Sequence, residues 1–152
     1  MENDFTISTD KNKLDVAVIH DFLCNRSYWG QGRTIETVQK SIDNSLCFGM
    51  YDKDRCFVGF ARVITDFTVF AYLLDLFILE GYRKRGLGKY LVDHIVNNEA
   101  FKDVRWRLDT KDAHELYRKF GFGKPAFPEK IMEKRNVSKQ LTQQETCARR
   151  AR

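Results

Sequence analysis

Hydrophobic and polar positions along the first third of the chain predict one strand followed by two helices. Phe5–Ser8 alternates apolar and polar residues, which is typical of a short β-strand. Apolar residues then recur at helical spacing over residues 12–24 and predict a first helix. Thr34 predicts the start of a second helix, because its hydroxyl can accept a hydrogen bond from an unpaired N–H group of the first turn.

The middle of the chain predicts three consecutive strands. Leu46–Tyr51 and Cys56–Ile64 are apolar runs on either side of a polar turn, a pattern that indicates a β-hairpin. Phe67–Leu79 is longer, is rich in aromatic and aliphatic residues, and carries only one charged residue, Asp75. We interpret it as a central strand that is buried, at least in part, on both faces.

After a loop at residues 80–88, helical and extended patterns alternate. The apolar spacing predicts an amphipathic helix to about Asn98, and a strand follows over Val104–Leu108. Antiparallel hairpins therefore come first and a strand–helix–strand crossover comes second. This order predicts an α+β fold, in which a mixed sheet carries helices on both faces.

The last part of the predicted domain contains one more helix and one more strand. Asp112–Phe120 has an apolar stripe at helical spacing, and Asp112 and Glu115 are placed to cap its first turn. Gly121 is suited to end this helix, because glycine accepts the left-handed conformation that follows many helices. Beyond two prolines, Ile131–Lys134 is interpreted as a final edge strand.

Length and composition indicate one globular domain. The 152 residues are 43% hydrophobic and 31% charged, which favours a folded chain over a disordered one. Charges interrupt the apolar stretches and no signal peptide is evident, so we expect a cytoplasmic protein without a membrane partner. The four cysteines form no CxxC pair and the three histidines are dispersed, so no metal site is expected.

Most of the net positive charge lies at the C-terminal end. Residues 135–152 hold five basic residues and one acidic residue, so they carry +4 of the total net charge of +5. The preceding residues 1–134 are nearly neutral, which argues against a nucleic-acid-binding module, the less favoured alternative. We expect one domain over 1–134 and a basic, disordered tail over 135–152.

The loop before the amphipathic helix is basic and contains two glycines. Unpaired backbone N–H groups and the helix dipole favour an anion at a helix N-terminus, and Gly86 and Gly88 allow it to approach the backbone closely. The loop therefore suits a pyrophosphate, and the alternative is a simple turn with solvated basic residues. The GxxxxGK[ST] and GxGxxG patterns of other phosphate loops are absent. The residues of this candidate site are Arg83, Lys84, Arg85, Gly86, Leu87, Gly88 and Lys89.

This loop resembles the [QR]xxGx[GA] pyrophosphate loop of the GNAT acetyltransferases, which follows a long strand and opens a helix. A second element of that family is similar, namely an alanine, a leucine–tyrosine pair and a glycine–aromatic pair, here Ala113, Leu116-Tyr117 and Gly121-Phe122. The two elements together identify residues 5–134 as a member of the family. The resemblance implies the GNAT fold, acetyl-CoA as the cofactor, and transfer of its acetyl group to an amine.

The resemblance also implies roles for particular residues. The backbone of Leu76, Phe77 and Ile78 would pair with the pantetheine arm, and an N–H group near Phe77 would stabilise the oxyanion of a tetrahedral intermediate. Tyr117 matches the tyrosine that protonates the departing thiolate, although by its position alone it reads as a core aromatic. Thr110 stands where many members carry an asparagine that contacts the cofactor.

The base that accepts the proton of the amine has two candidates. Asp75 lies in an apolar strand two residues before the expected oxyanion site, a position suited to a base. The structural alternative is that Asp75 caps a bulge or pairs with Arg62. His114 is the second candidate, and its alternative is an inert histidine on a helix surface.

The acceptor is expected between the early helices and the central strand. Tyr28, Trp29 and Arg33 fall in that region and are candidates for binding it, although Trp29 could simply pack over the sheet edge. The sequence does not choose between a small-molecule amine and a peptide amine. A non-catalytic acyl-CoA sensor of the same fold is the alternative function, and a homodimer is possible by analogy of fold alone.

Overall fold

A five-stranded sheet forms the centre of the computed structural model, which describes residues 4–136. The strands lie side by side in chain order, and β1 to β4 are antiparallel while β5 runs parallel to β4. This arrangement confirms the predicted mixed sheet, with hairpins first and a crossover second. The strands are β1 (Phe5–Ser8), β2 (Leu46–Asp52), β3 (Phe57–Thr65), β4 (Phe70–Ile78) and β5 (Arg105–Leu108).

Helices cover both faces of this sheet, as predicted. On one face, Leu91 and Ile95 are fully buried in a cluster with Phe48 of β2. On the other face, Ile19 and Val38 are buried in a separate cluster with Phe60 and Phe77. Each face therefore has its own core, and the sheet separates the two. The α-helices of residues 4–136 are α1 (Val16–Asp21), α2 (Ile35–Asp43), α3 (Leu87–Val96) and α4 (His114–Arg118).

The predicted helix over residues 12–24 is divided in the structure. Asp15 caps α1 by accepting a hydrogen bond from the Val18 N–H group at 3.1 Å, so the α-helix starts later than its apolar spacing suggests. Its last turn widens into a π-helical turn over Phe22–Arg26. Ser27 follows, and its hydroxyl donates to the Leu23 carbonyl and accepts from the Gly30 N–H group. These two hydrogen bonds of Ser27 fix the direction in which the following loop, residues 28–33, continues from the helix.

The cap predicted for the second helix is confirmed. The Thr34 hydroxyl accepts a hydrogen bond from the Thr37 N–H group at 3.2 Å, and α2 begins at the next residue. The cap predicted for the last helix is wrong. There the hydroxyl of Thr110 accepts from the Ala113 N–H group at 3.0 Å, and no Asp112 side chain caps the helix. Thr110 precedes the helix by a full turn, a position that the apolar stripe does not mark.

The end of the predicted domain is only partly regular. Gly121 adopts φ +86° just after α4, in agreement with its predicted role. The predicted edge strand over Ile131–Lys134 is wrong, because this segment pairs with no strand of the described chain. Pro128 starts a short 3₁₀ turn instead, and Met132 beyond it is 95% exposed. An extended segment needs hydrogen bonds from a neighbour to become a strand.

The predicted tail falls almost entirely outside the described residues, which end at residue 136. Within the described residues, no helix is both long enough and apolar enough to cross a lipid bilayer. The cysteines differ in environment, since Cys47 is buried and Cys56 is exposed.

Candidate active site

The pairing of β4 changes halfway along the strand. On the side of β5, parallel pairing runs from Phe70 to Leu73 and ends where β5 ends. On the side of β3, Arg62 lies opposite Leu74 while Phe60 lies opposite Phe77, so the register shifts by one residue. Two residues of β4 face one of β3 there, which is a β-bulge. Asp75 lies in this bulge with φ +53°, a left-handed conformation that is uncommon for a residue other than glycine.

The bulge and the end of β5 leave a gap beside the second half of β4. Within the described chain, no β5 residue pairs with β4 beyond Leu73. Leu76, Phe77 and Ile78, the residues expected to contact the pantetheine arm, lie in this half of the strand. The Phe77 side chain packs into the core on the α1 and α2 side, where its ring stacks on Phe22 with centroids 3.9 Å apart. Its backbone is thus held firmly while the β5 side of the strand stays open.

The loop of residues 80–88, here called the glycine loop, follows β4 and ends in the first turn of α3. Gly86 occupies the N-cap position with φ +76°, and no side chain caps the helix. Lys84 also has a positive φ of 61°. Gly86, Leu87 and Gly88 line a small cavity of about 180 Å³ together with Ile78 and Tyr82, and with Arg83 and Lys84. The uncapped N–H groups of a ten-residue helix and its dipole suit this cavity for an anion.

The four basic side chains of the loop differ in their surroundings. Arg83 donates a hydrogen bond from Nε to the Ile78 carbonyl at 3.2 Å. The Arg85 guanidinium lies 5.0 Å from the ring centroid of Phe5 and 5.8 Å from that of Tyr82. Lys84 and Lys89 are exposed. The arginines therefore fasten the loop to the sheet, whereas the lysines add positive charge at its surface.

A larger cavity of about 410 Å³ lies beside the bulge. Three segments that are distant in sequence form it, namely residues 28–33, residues 72–76 and residues 109–117. Its wall contains most of the residues predicted to act in catalysis or to bind the acceptor. It also contains two residues predicted to bind the cofactor, Leu76 of β4 and Thr110. It does not include Phe77 or the glycine loop, which lines the separate smaller cavity. The predicted residues on its wall are Tyr28, Trp29, Arg33, Asp75, Leu76, Thr110 and Tyr117.

Asp75 is the centre of a buried polar cluster in this wall. Its Oδ1 accepts hydrogen bonds from Trp29 Nε1 at 3.0 Å and from Arg33 Nη1 at 2.9 Å. Its Oδ2 accepts from Arg33 Nη1 at 3.0 Å and from Arg62 Nε at 2.9 Å. The pairing of Asp75 with Arg62 is therefore what the structure shows, as the structural alternative predicted. Each carboxylate oxygen accepts two hydrogen bonds from these neighbours, so the carboxylate is fully engaged within the wall.

Tyr28 and Trp29 connect the loop after α1 to the far side of the cavity. The Tyr28 hydroxyl accepts a hydrogen bond from the Lys111 N–H group at 2.7 Å. The two rings meet edge to face, with centroids 5.0 Å apart. Trp29 also packs against Phe22 of the core while its indole N–H donates to Asp75. Trp29 therefore packs over the sheet and lines the cavity at the same time.

Tyr117 is the fourth residue of the short helix α4 and is buried against the cavity. Its ring meets Phe122 edge to face at 5.9 Å, which accounts for the spacing between the leucine–tyrosine and glycine–aromatic pairs. Burial raises the pKa of Tyr117 to about 12, and the nearby Tyr28 and Asp112 add to this effect. The phenol thus keeps its proton at neutral pH and can act as a donor. His114, the other candidate base, is exposed and does not line the cavity.

Sequence reasoning missed four polar residues of the cavity wall, Tyr72, Asp109, Lys111 and Asp112. Burial raises the pKa of Tyr72, and a hydrogen bond from its hydroxyl to Asp109 raises it further. Asp109 and Lys111 come just after β5, the strand that runs parallel to β4. Binding sites often lie beyond the carboxyl ends of parallel strands. The position of Asp109, directly after β5, was therefore a usable signal in the sequence for a residue of the site.

Comparisons with known proteins agree with this geometry. The family model for the acetyltransferase (GNAT) domain matches residues 43–124. A crystal structure from Xanthomonas campestris pv. campestris, described as belonging to the GNAT family, is 41% identical with a TM-score of 0.83, and the match covers 87% of this chain and 93% of that one. An acetyltransferase-named protein of Gibberella zeae is 28% identical over 138 residues, covering 76% of this chain and 77% of its own.

A more distant structure shares the fold alone. It is the spermidine N-acetyltransferase of Vibrio cholerae in complex with CoA and spermine, with 16% identity, a TM-score of 0.62, and coverage of 82% of this chain and 83% of that one. The family model covers more than half of the present chain, and the strand order and helices fit the same fold. This chain therefore belongs to the GNAT acetyltransferase family and is an acyltransferase.

Proposed function

We propose that the protein transfers the acetyl group of acetyl-CoA to the amine of a small molecule or peptide. One observation carries this proposal: the open half of β4 runs between a cavity that contains Tyr117 and a glycine loop suited to a pyrophosphate. A thioester bound along β4 would have its anionic end at the loop and its acetyl end beside Tyr117. The related Vibrio fold holds CoA, which supports the same cofactor here.

The residues of β4 and the loop would bind the cofactor through their backbone. The segment Leu76, Phe77 and Ile78 has one edge that no described strand pairs with, and the backbone groups on that edge would bind the amides of the pantetheine arm. The N–H groups of residues 84–89 and the α3 dipole would hold the pyrophosphate, with Lys84 and Lys89 adding charge. Thr110 lines the cavity, and its hydroxyl can still donate one hydrogen bond because it uses only its oxygen toward Ala113.

The chemical step is direct attack of the amine on the thioester. A bond forms between the amine nitrogen and the carbonyl carbon, and the carbon–sulfur bond then breaks. A β4 N–H group near Phe77 would stabilise the oxyanion between these events. The amine loses its proton to water or to a carboxylate of the cavity wall. Tyr117 donates its proton to the departing thiolate, because its phenol lies on the cavity wall and is protonated at neutral pH.

Asp75 has a positioning role in this proposal rather than the role of base. Its carboxylate holds Trp29 and Arg33 against the bulged strand and is itself held by Arg62. Removal of the carboxylate would leave the buried Nε of Arg62 unpaired, so the cluster resists rearrangement. We infer that Asp75 shapes the acceptor side of the cavity.

Thermal unfolding with saturating acetyl-CoA, ATP or NAD tests the cofactor assignment. A ligand at a hundred times its dissociation constant stabilises the folded state by roughly 2.7 kcal/mol, which raises the melting temperature by several degrees in a chain of this size. We expect the shift with acetyl-CoA and not with ATP or NAD. Release of the CoA thiol that depends on an added amine then separates an enzyme from an acyl-CoA sensor, because a sensor would show the shift without thiol release.

A further inference from the structure

The acceptor side of the large cavity carries an unbalanced positive charge. One carboxylate, Asp75, is paired with two guanidinium groups, Arg33 and Arg62, so the cluster has a net charge of +1. The side chains of Asp75 and Arg62 are only 1% and 9% exposed, and that of Arg33 is 24% exposed. A charge removed from water is costly unless a counter-charge meets it. The cluster therefore favours an anion beside Arg33, the most exposed of its three side chains.

Arg33 is the member that reaches the cavity. Among the described residues, every hydrogen bond of its guanidinium leaves from Nη1, which donates to both oxygens of Asp75. Arg62 uses Nε for Asp75 and Nη1 for the Ser45 hydroxyl, and it does not line the cavity. The planar guanidinium of Arg33 thus has further N–H donors, in the geometry that binds a carboxylate through two parallel hydrogen bonds.

The wall contributed by residues 109–112 has the opposite character. Asp109 and Asp112 place two carboxylates on it. Lys111 is the single cation of that wall, and its ammonium group lies over the ring of Tyr28 at 5.6 Å from the centroid. This wall therefore has a net charge of −1, and Tyr117 follows it in the same segment. A cationic amine would be attracted to it before it loses its proton for attack.

We infer that the acceptor is an amine that also carries a carboxylate, bound by Arg33 at the carboxylate and by the wall of residues 109–112 at the amino group. This inference rests on the proposed acetyl transfer and gives its substrate class. An amino acid, or a small molecule with the same two groups, meets both charged walls of the 410 Å³ cavity. A polyamine meets only one of them, and its remaining ammonium groups would face the charge of Arg33.

The test uses pairs of amines that differ only in the anionic group, namely L-amino acids and their carboxamides. Thiol release from acetyl-CoA gives kcat/KM for each compound, and spermidine is included as an amine without an anion. The two members of a pair differ in basicity, so their kcat/KM values cannot be compared directly. The informative quantity is the ratio of kcat/KM for the carboxylate to kcat/KM for the amide, measured in the wild type and divided by the same ratio in Arg33→Gln. We expect this quotient to be roughly ten to a hundred for the preferred pair, the range of a charged hydrogen bond.

The variants separate recognition from folding. Arg33→Gln should raise KM for the carboxylate compound, leave KM for the amide nearly unchanged, and leave the acetyl-CoA-induced melting shift intact. Arg33→Lys keeps the charge but loses the planar donors, so its KM should be intermediate, and it replaces Arg33→Gln if that variant does not fold. Arg26→Gln removes an exposed arginine that pairs with Asp21, and it should behave as the wild type.

Three results would overturn the inference. The first is a quotient near one, because Arg33 would then only hold the loop. The second is a panel in which spermidine is the best acceptor, or in which no carboxylate compound reacts. In both cases a normal acetyl-CoA melting shift would leave the proposed acetyl transfer standing. The third is a wild type that acetyl-CoA does not stabilise, which would remove the proposed function and this inference together.

Discussion

The two cavities beside β4 are built in opposite ways. The small cavity at the glycine loop comes from one short segment, residues 78–88, and offers mainly backbone N–H groups at a helix N-terminus. The large cavity comes from three distant segments and offers charged and aromatic side chains. Trp29 and Asp75, which are hydrogen-bonded to each other in its wall, are 46 residues apart in sequence. A site made of local backbone can be recognised in a sequence, whereas a site assembled from distant side chains requires the fold.

The largest expected effect concerns the buried cluster that shapes the large cavity. Asp75→Asn removes the carboxylate and leaves Arg33 and Arg62 facing each other without a counter-charge. Loss of one member of a buried ion pair costs about 3–5 kcal/mol, and we expect the free energy of unfolding to fall by that amount. Urea unfolding measures it.

Asp21→Asn is the matched control, since it removes an exposed partner of Arg26 and should cost at most about 1 kcal/mol. An equal, small loss in both variants would show that the Asp75 cluster does not hold the cavity together.

The next effect is on turnover. Tyr117→Phe removes the proposed proton donor to the thiolate, and general acid catalysis contributes roughly 10²- to 10⁴-fold to a rate. We expect kcat to fall within that range while the melting shift with acetyl-CoA is retained. Tyr51→Phe is the control, because it also removes a buried tyrosine hydroxyl, one that has no hydrogen-bond partner in the described structure. Unchanged kcat in Tyr117→Phe would make this residue a core aromatic only.

The free energy of unfolding should depend on pH in the alkaline range because of Cys47, whose thiol is buried in β2. Burial raises the pKa of Cys47 from 9.0 to about 11, so the unfolded chain loses this proton at a lower pH than the folded chain. The folded state is therefore destabilised as the pH rises from 9 to 11, by about 2 kcal/mol at pH 10.5.

Urea midpoints at pH 8 and pH 10.5 should differ less in Cys47→Ala than in the wild type. Cys56→Ala, at an exposed position, serves as the control for the loss of a thiol. A pH dependence that persists unchanged in Cys47→Ala would assign it to other groups.

The smallest effect concerns the glycine loop. Gly86→Ala places a side chain on a residue with φ +76°, and a left-handed conformation costs about 1–2 kcal/mol for such a residue. We expect weaker acetyl-CoA binding, by roughly five- to thirtyfold, in titration calorimetry. Gly81→Ala is the control, because open space surrounds that position and its φ is not positive. Equal affinities in the two variants would contradict the proposed pyrophosphate site.

The same contrast explains what the sequence could predict. Strand and helix positions followed from apolar periodicity, and Thr34 and Gly121 followed from local backbone chemistry. The start of α1 depended on the Asp15 side chain, which the apolar pattern does not report, and α4 starts without a side-chain cap. The failed strand at Ile131–Lys134 shows that pairing depends on a neighbour as well as on sequence.

The candidate site divides in the same manner. The family resemblance pointed to the glycine loop and to Tyr117 through motifs that are local in sequence, and both lie on the walls of cavities. The hydrogen bonds of Asp75 with Arg33 and Trp29 could not be predicted from the sequence. These partners are separated from Asp75 by 42 and 46 positions, and only the bulge and the folded loop bring them together. Tyr72 was missed for a similar reason, whereas the position of Asp109 after a parallel strand was a signal that the sequence did offer.

The hydrogen bond between Tyr28 and the backbone of Lys111 spans 83 residues, and this has a consequence for the order of folding. Contacts between residues far apart in sequence pay a larger loop-closure entropy and form late. In a Trp106→Phe chain, Trp29 is the only tryptophan, and its fluorescence should report the slowest refolding phase. During synthesis, the glycine loop can fold as soon as α3 has emerged, but the large cavity cannot be complete until residue 117 has left the ribosome.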